Sequence, residues 1–194
     1  TIPRATQPTV RPTSVTLGNP VVISMPRAST SFLHGLTYKI GNLSGDLGTG
    51  LGESITWSPP LMLAPAITGN SGTITFTCTT YSGGTVIGSK TVDLNVTLPA
   101  SVPTVDPNEI IIGQSTTIKT NRISNVLTHT IRYSVGSDTG IIATNVTDMI
   151  NWQPPLSLVK NISGSVGDII IICDTYNGTT LVGSSTVILR LVVD

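Results

Sequence analysis

Charge is scarce in this chain. Of its 194 residues only 10 % are charged, and ten basic side chains balance ten acidic ones. A nucleic-acid binder normally carries a basic patch or stripe, so that class is disfavoured. Disordered chains combine low hydrophobicity with high net charge, and neither is found here. Long apolar runs are missing as well. No uninterrupted stretch approaches the roughly 18–20 residues that a membrane helix needs. No basic segment followed by an apolar one opens the chain, so no signal peptide is expected in it. Aromatics make up 4 % of residues, few for an exposed ring surface of the kind that binds sugars. What is plentiful points one way. Nineteen glycines and 13 prolines accompany many Thr, Ser and β-branched residues, the composition of an all-β protein with frequent turns. The length suffices for one large or two small domains.

Displaced by 95 positions, the sequence matches itself without a gap. Pro8-Thr9-Val10 meets Pro103-Thr104-Val105, and Arg27, His34 and Tyr38 meet Arg122, His129 and Tyr133. Trp57 with Pro59-Pro60-Leu61 meets Trp152 with Pro154-Pro155-Leu156, and Cys78 and Tyr81 meet Cys173 and Tyr176. A direct count of 8–99 against 103–194 gives 33 identities in 92 positions. The expected organisation is a lead-in (1–7), a first repeat (8–99), a short Pro-bounded linker (100–102) that should limit bending, and a second repeat (103–194).

Within copy one, the hydrophobic pattern has a period of two. His34, Leu36, Tyr38 and Ile40 alternate, as do Ile55 and Trp57, then Ile74, Phe76 and Cys78, then Val92, Leu94, Val96 and Leu98. Each run reads as a half-buried strand. Val15 to Leu17 and Val21 to Met25 are shorter candidates on either side of Gly18-Asn19-Pro20. Ser82-Gly83-Gly84, and Asn177-Gly178-Thr179 in copy two, predict a tight hairpin turn. After Trp57, Pro60 can open a helical turn with Leu61, Leu63 and Ile67 along one face, a short crossover between two sheets. About seven short strands per copy predict an all-β fold of two tandem immunoglobulin-like β-sandwich domains.

Catalysis needs a nucleophile, a base and an orienting group, or a metal with enough ligands. One histidine per copy, without a neighbouring Cys or carboxylate at ligand spacing, makes a poor zinc site. His34 and His129 are expected at a sheet edge or strand end. Arg27 and Arg122 are expected to bind loop carbonyls. The lone cysteine of each copy cannot pair within its own domain and reads as a buried free thiol. Gly45-Asp46-Leu47-Gly48 faintly resembles a calcium loop, but copy two has no acid there and no Asp-x-Asp-x-Asp-Gly pattern occurs. The sequons Asn42-Leu43-Ser44 and Asn145-Val146-Thr147 matter only in a eukaryotic secretory pathway. Trp57 and Trp152 stand at core positions. Tyr81 and Tyr176, just before the hairpin turn, are the better candidates for surface ligand contacts. No catalytic residue, metal ligand or cofactor site emerges, and the expectation is a protein without enzymatic activity.

The copies differ in a directed way. Thr75 and Thr77, expected to point outward, become Ile170 and Ile172, while Asp93, Asn95 and Thr97 become Ile188, Arg190 and Val192. Ile170, Ile172, Ile188 and Val192 are therefore expected to form an apolar outer patch, through which copy two meets a partner chain or another copy of itself.

Three stretches carry a resemblance. They are Thr1-Ile2-Pro3-Arg4-Ala5-Thr6 ahead of Pro8-Thr9-Val10, Trp57-x-Pro59-Pro60-Leu61-x-Leu63-Ala64, and Cys78-x-Thr80-Tyr81-x-Gly83 with Ile87-Gly88-Ser89-Lys90-Thr91-Val92. Together they resemble the minor structural, or tail, proteins with tandem immunoglobulin-like repeats of siphophages that infect Gram-positive bacteria. The resemblance implies an extracellular virion component that spaces and supports host-surface recognition. It implies other tail proteins, and host cell-wall polysaccharide, as partners. Two alternatives stay open: carbohydrate-binding modules of a cell-wall hydrolase, and stalk repeats of a bacterial surface adhesin.

Overall fold

The computed structural model describes residues 4–194; the first three residues of the lead-in, Thr1-Ile2-Pro3, lie outside them. The chain divides into two compact units, one ending at Leu98 and the other spanning Pro99–Asp194.

In the first unit eight strands follow one another: β1 (Thr9–Arg11), β2 (Ser14–Thr16), β3 (Val21–Ser24), β4 (Phe32–Ile40), β5 (Leu43–Leu51), β6 (Ser54–Trp57), β7 (Ser71–Ser82) and β8 (Thr85–Thr97). They form a three-stranded sheet, β1-β3-β6, and a five-stranded sheet, β2-β8-β7-β4-β5. The opening segment changes sheet. Thr9–Arg11 runs antiparallel to β3, and after Pro12, which has no N–H to donate, Ser14–Thr16 runs parallel to β8. The second unit repeats this order with β9 (Thr104–Asp106), β10 (Glu109–Ile111), β11 (Thr116–Lys119), β12 (Leu127–Val135), β13 (Asp138–Val146), β14 (Met149–Trp152), β15 (Val166–Asn177) and β16 (Thr180–Val192). Its sheets are β14-β11-β9 and β10-β16-β15-β12-β13. Each unit is thus an immunoglobulin-like sandwich in which alternate residues turn inward. Ile74, Phe76 and Cys78 on β7 are completely buried, as are Ile169, Ile171 and Cys173 on β15.

Three details differ from the sequence pattern. The first is β5 and β13. Gly45, Gly48 and Gly50 hide the alternation of β5 and make it look like a loop. The Tyr38 ring lies so closely over its cross-strand partner Gly45 that a Cβ there would sit 2.7 Å from the ring, and Tyr133 covers Gly140 in the same way. The second is the crossover. It is a 3-10 helix, Leu61–Ala66, that begins after Pro60, whose carbonyl accepts the N–H of Leu63. Leu63, Ala64 and Ile67 are buried, while Leu61 stays 40 % exposed and lies across the Gly18 turn instead. The third is the second hairpin. Gly178, not Asn177, supplies the positive φ, whereas copy one uses Gly83 and Gly84.

Candidate functional site

The two histidines are not at a sheet edge. His34 and His129 sit on β4 and β12, each flanked by strands on both sides, and are completely buried. A buried imidazole needs partners for both nitrogens, and the lead-in supplies one of them. The Oγ1 of Thr6 lies 2.8 Å from His34 Nε2, and the Oγ of Ser101 lies 2.7 Å from His129 Nε2. The other nitrogen, Nδ1, faces a backbone carbonyl, Gly52 at 2.7 Å and Val146 at 2.8 Å. A carbonyl only accepts, so Nδ1 carries the proton. At His129 Nε2 then accepts from the Ser101 hydroxyl, whereas the Thr6 hydroxyl lies within reach of both His34 Nε2 and the Pro26 carbonyl, at 2.8 and 3.2 Å. The Thr6 and Ser101 N–H groups donate to Thr80 and Thr175 at 2.9 Å. Burial, above all, lowers the His129 pKa below its usual value. These are structural histidines that bolt the segment before Pro8 or Pro103 onto the sandwich. Arg27 and Arg122 also hold loops: Arg27 donates to the carbonyls of Thr30 and Phe32, Arg122 to those of Asn125 and Leu127.

Cys78 and Cys173 are free and buried, and burial pushes both thiols up to about 11. Such thiols are poor nucleophiles at neutral pH. Among the described residues no group of three His, Cys, Asp or Glu side chains comes together to hold a metal, and no helix is long and apolar enough to cross a membrane. Asp46 lies on strand β5.

The outer face of the five-stranded sheet is where the copies part. In copy one it is polar. The Thr75 hydroxyl donates to Asp93 at 2.9 Å, Thr79 and Ser89 share a hydrogen bond of 2.8 Å, and Asn95 donates to Ser14 at 3.0 Å. In copy two Ile170 and Ile188 are direct cross-strand partners, 42 % and 54 % exposed. Ile172 lies two residues along β15 and is half-buried. Val192 is half-buried too, but the row Asp168, Arg190, Glu109 separates it from Ile188. The Arg190–Glu109 ion pair (3.5 Å) marks that border.

On the other side stands a feature that the sequence pattern did not single out. Arg132 binds Asp174 through two hydrogen bonds, 2.7 and 3.1 Å, and Ser184 donates to the same carboxylate at 2.6 Å. The Arg132 guanidinium holds the Asp174 carboxyl below its ordinary range. In copy one the corresponding residues are Thr37 and Thr79. That paired change, from two threonines to an acid and a base, is the signal that would have found it.

Trp57 and Trp152 are half-buried and packed on tyrosines: Trp57 lies 5.0 Å from Tyr38 and edge-on to Phe76, and Trp152 stacks on Tyr133 at 5.5 Å. Tyr81 and Tyr176 are also half-buried. Their settings differ. Tyr81 lies over Gly35, where a Cβ would come within 3.4 Å of its ring. In copy two that glycine is Thr130, and Tyr176 borders a hollow of about 230 Å³ together with Thr128, Thr130, Asn145 and Thr179, above His129.

The family model described as "Siphovirus protein of unknown function (DUF859)" matches the chain twice, over residues 1–107 and 103–194. A search of curated protein sequences found no match. Among solved structures, a two-domain fibronectin type III segment of chicken tenascin superposes with a TM-score of 0.58 at 12 % identity, covering 96 % of this chain and 99 % of that one. The selenomethionine-substituted chicken interferon gamma receptor alpha chain superposes with a TM-score of 0.52 at 10 % identity, covering 100 % and 99 %. At such identities the likeness is one of fold: tandem sandwich domains of the immunoglobulin and fibronectin type III kind.

Proposed function

The chain belongs to this siphovirus protein family, and from that premise we propose that it is a non-enzymatic structural and adhesion module of the phage tail or tail fibre, spacing and supporting recognition of the host cell surface. The observation that carries this reading is how each copy is fastened. Leu98 is buried in copy one and donates its N–H to Asn70. Ser101 is already locked to His129 and Thr175 of copy two. Pro99 and Ala100 alone stand between. Repeats that keep their own cores and are joined by so short a link suit a spacer. Weak contacts made by such modules gain strength when many are displayed together, because linkage raises the effective concentration.

The outer face of copy two is assigned to contact with a second copy of this chain. Two ion pairs lie within the face, Arg132 with Asp174 and Arg190 with Glu109, and the exposed Asp168 stands beside Arg190. Ile170 and Ile188 lie uncovered between the pairs, and an identical face brought over them by a two-fold axis would cover both.

The test is location and binding. Antibody fragments raised against the 194-residue chain should decorate the tail of intact particles, and absence of label from the virion would refute the structural role. The labelled chain should bind Gram-positive host cells saturably, in competition with purified wall polysaccharide. A decorated tail without cell binding would remove adhesion and leave spacing.

A further inference from the structure

The geometry points to a saccharide subsite on copy two, in the hollow beside Tyr176, that takes one neutral sugar ring. The inference rests on the adhesion reading and gives it a ligand class. It starts from a comparison that the duplication provides. Thr128, Thr130, Asn145 and Thr179 border the hollow. Their counterparts in copy one are Leu33, Gly35, Gly50 and Gly84. All four positions thus change from an aliphatic or absent side chain to a hydroxyl or a carboxamide, while the tyrosine, Tyr81 or Tyr176, is the same in both copies.

The backbone supports the same conclusion. The pairing of β12 with β13 is interrupted between His129 and Ile131, as that of β4 with β5 is between His34 and Leu36. The irregularity places residue 145 at φ +53, and residue 50 at φ +63. Glycine adopts that conformation freely, and copy one has glycine. Copy two holds an asparagine there, which tolerates the left-handed region but at some cost. A side chain kept at a strained bulge position beside a hollow is the pattern of a functional contact.

The chemistry then selects the ligand. A hollow bordered by a tyrosine, three threonines and an asparagine suits a molecule with C–H faces and many hydroxyl groups, as a pyranose has. The volume of about 230 Å³ lies below the roughly 300–1,000 Å³ of drug-sized pockets and fits a single ring. His129 and Gly178 complete the lining; burial disfavours the charged form of His129, no other lining residue is basic, and Arg132, on the same sheet face, is committed to Asp174 by two hydrogen bonds. A phosphate-bearing wall polymer would find no free positive charge among them. Neutral sugar is therefore favoured over anionic polymer.

The experiment titrates the whole 194-residue chain, isotopically labelled, with rhamnose, glucose, galactose and N-acetylglucosamine, and separately with a glycerol phosphate oligomer, while amide resonances are followed by NMR. At least one neutral sugar should shift residues 128–130, 145 and 176–179 and leave the copy-one positions 33–35, 50 and 81–84 unmoved. Thr130→Gly and Asn145→Gly each install the residue that copy one already carries, and Asn145→Gly also relieves the backbone. Each should weaken the response at least tenfold with Trp152 fluorescence unchanged. Three results would overturn the inference: no neutral sugar acts at the hollow, the glycerol phosphate oligomer acts there instead, or Asn145→Gly leaves binding unchanged. Antibody labelling separates this from the broader reading. Label on the tail with no sugar response removes the subsite alone, whereas a sugar response without label removes the tail assignment alone.

Discussion

Ser101→Ala removes a single hydroxyl and isolates the contribution of the buried histidine network. In the native chain that hydroxyl lies 2.7 Å from Nε2 of a completely buried His129, whose Nδ1 is engaged by the Val146 carbonyl. Without it, a buried acceptor has no donor, which costs about 1–3 kcal/mol. Each copy has one tryptophan, so the copies can be followed separately in the full chain. Trp57→Phe leaves Trp152 to report copy two, and Trp152→Phe leaves Trp57 to report copy one. With a urea m-value of about 1–3 kcal/mol/M, the copy-two midpoint should fall by roughly 1 M while copy one is unaffected. Acid should act on the same network. Burial disfavours the charged form of His129 in the folded state, while in the unfolded chain it protonates near pH 6.5. Between pH 7 and 5 the unfolded state therefore binds more protons. The stabilising contribution is complete above pH 6.5 and is lost as pH falls, with a slope of at most about 1.4 kcal/mol per pH unit. Asp138 and Asp174 have lowered pKa values and titrate below this window. His129→Gln should flatten the slope. An unchanged slope in that variant, or a Ser101→Ala midpoint within error of the native one, would refute the account.

Three further perturbations test the rest. Fully burying an isoleucine is worth about 1.5–3 kcal/mol, and Ile170 and Ile188 are about half exposed. A pair of such faces therefore gains about 4 kcal/mol, near the low end of the roughly 4–15 kcal/mol that association costs. Self-association should accordingly appear in sedimentation velocity only at high protein concentration and vanish in Ile170→Lys/Ile188→Lys; a native chain that stays monomeric throughout would sink the assigned contact. Arg132→Thr strips the nearly buried Asp174 of its bidentate partner and should cost about 1–3 kcal/mol, discounted because the arginine is 42 % exposed. Adding Asp174→Thr restores the residues of copy one and should recover most of that loss, so a double mutant no better than the single would count against the pairing. Gly140→Ala sets a methyl 2.7 Å from the Tyr133 ring, which Trp152 holds from behind. It should cost about 1–3 kcal/mol and shift Trp152 fluorescence, and a silent substitution would show that the ring moves freely.

What could be read from the sequence follows the range of the forces involved. The duplication, the period-two strands and the inward cysteines are local or repeated features, and they give the sandwich class. Strand β5 was illegible because its glycines carry no hydrophobic signal; a tyrosine on the neighbouring strand covers the gap. The histidines were misplaced for a different reason. Their hydroxyl partners lie 28 residues away, outside any window of periodicity. The retained hydroxyl at positions 6 and 101, through a change from Thr to Ser, was the available trace. The Arg132–Asp174 pair spans 42 residues and left only its double replacement as evidence.

The duplication also says where divergence has meaning. Over much of the interior the copies exchange like for like, Leu36 for Ile131, Phe76 for Ile171, Val96 for Leu191, and these apolar swaps carry no new chemistry. Two buried positions do change character: Val21 and Met25 give way to Thr116 and Thr120, whose hydroxyls donate to backbone carbonyls. On the outer side and one end of β10-β16-β15-β12-β13 the changes alter chemical character: threonine to isoleucine, threonine pairs to an ion pair, glycine to asparagine at positive φ. Drift would favour glycine at residue 145, where asparagine at φ +53 is the costlier choice, so that replacement is the one that argues most directly for the contact proposed on copy two.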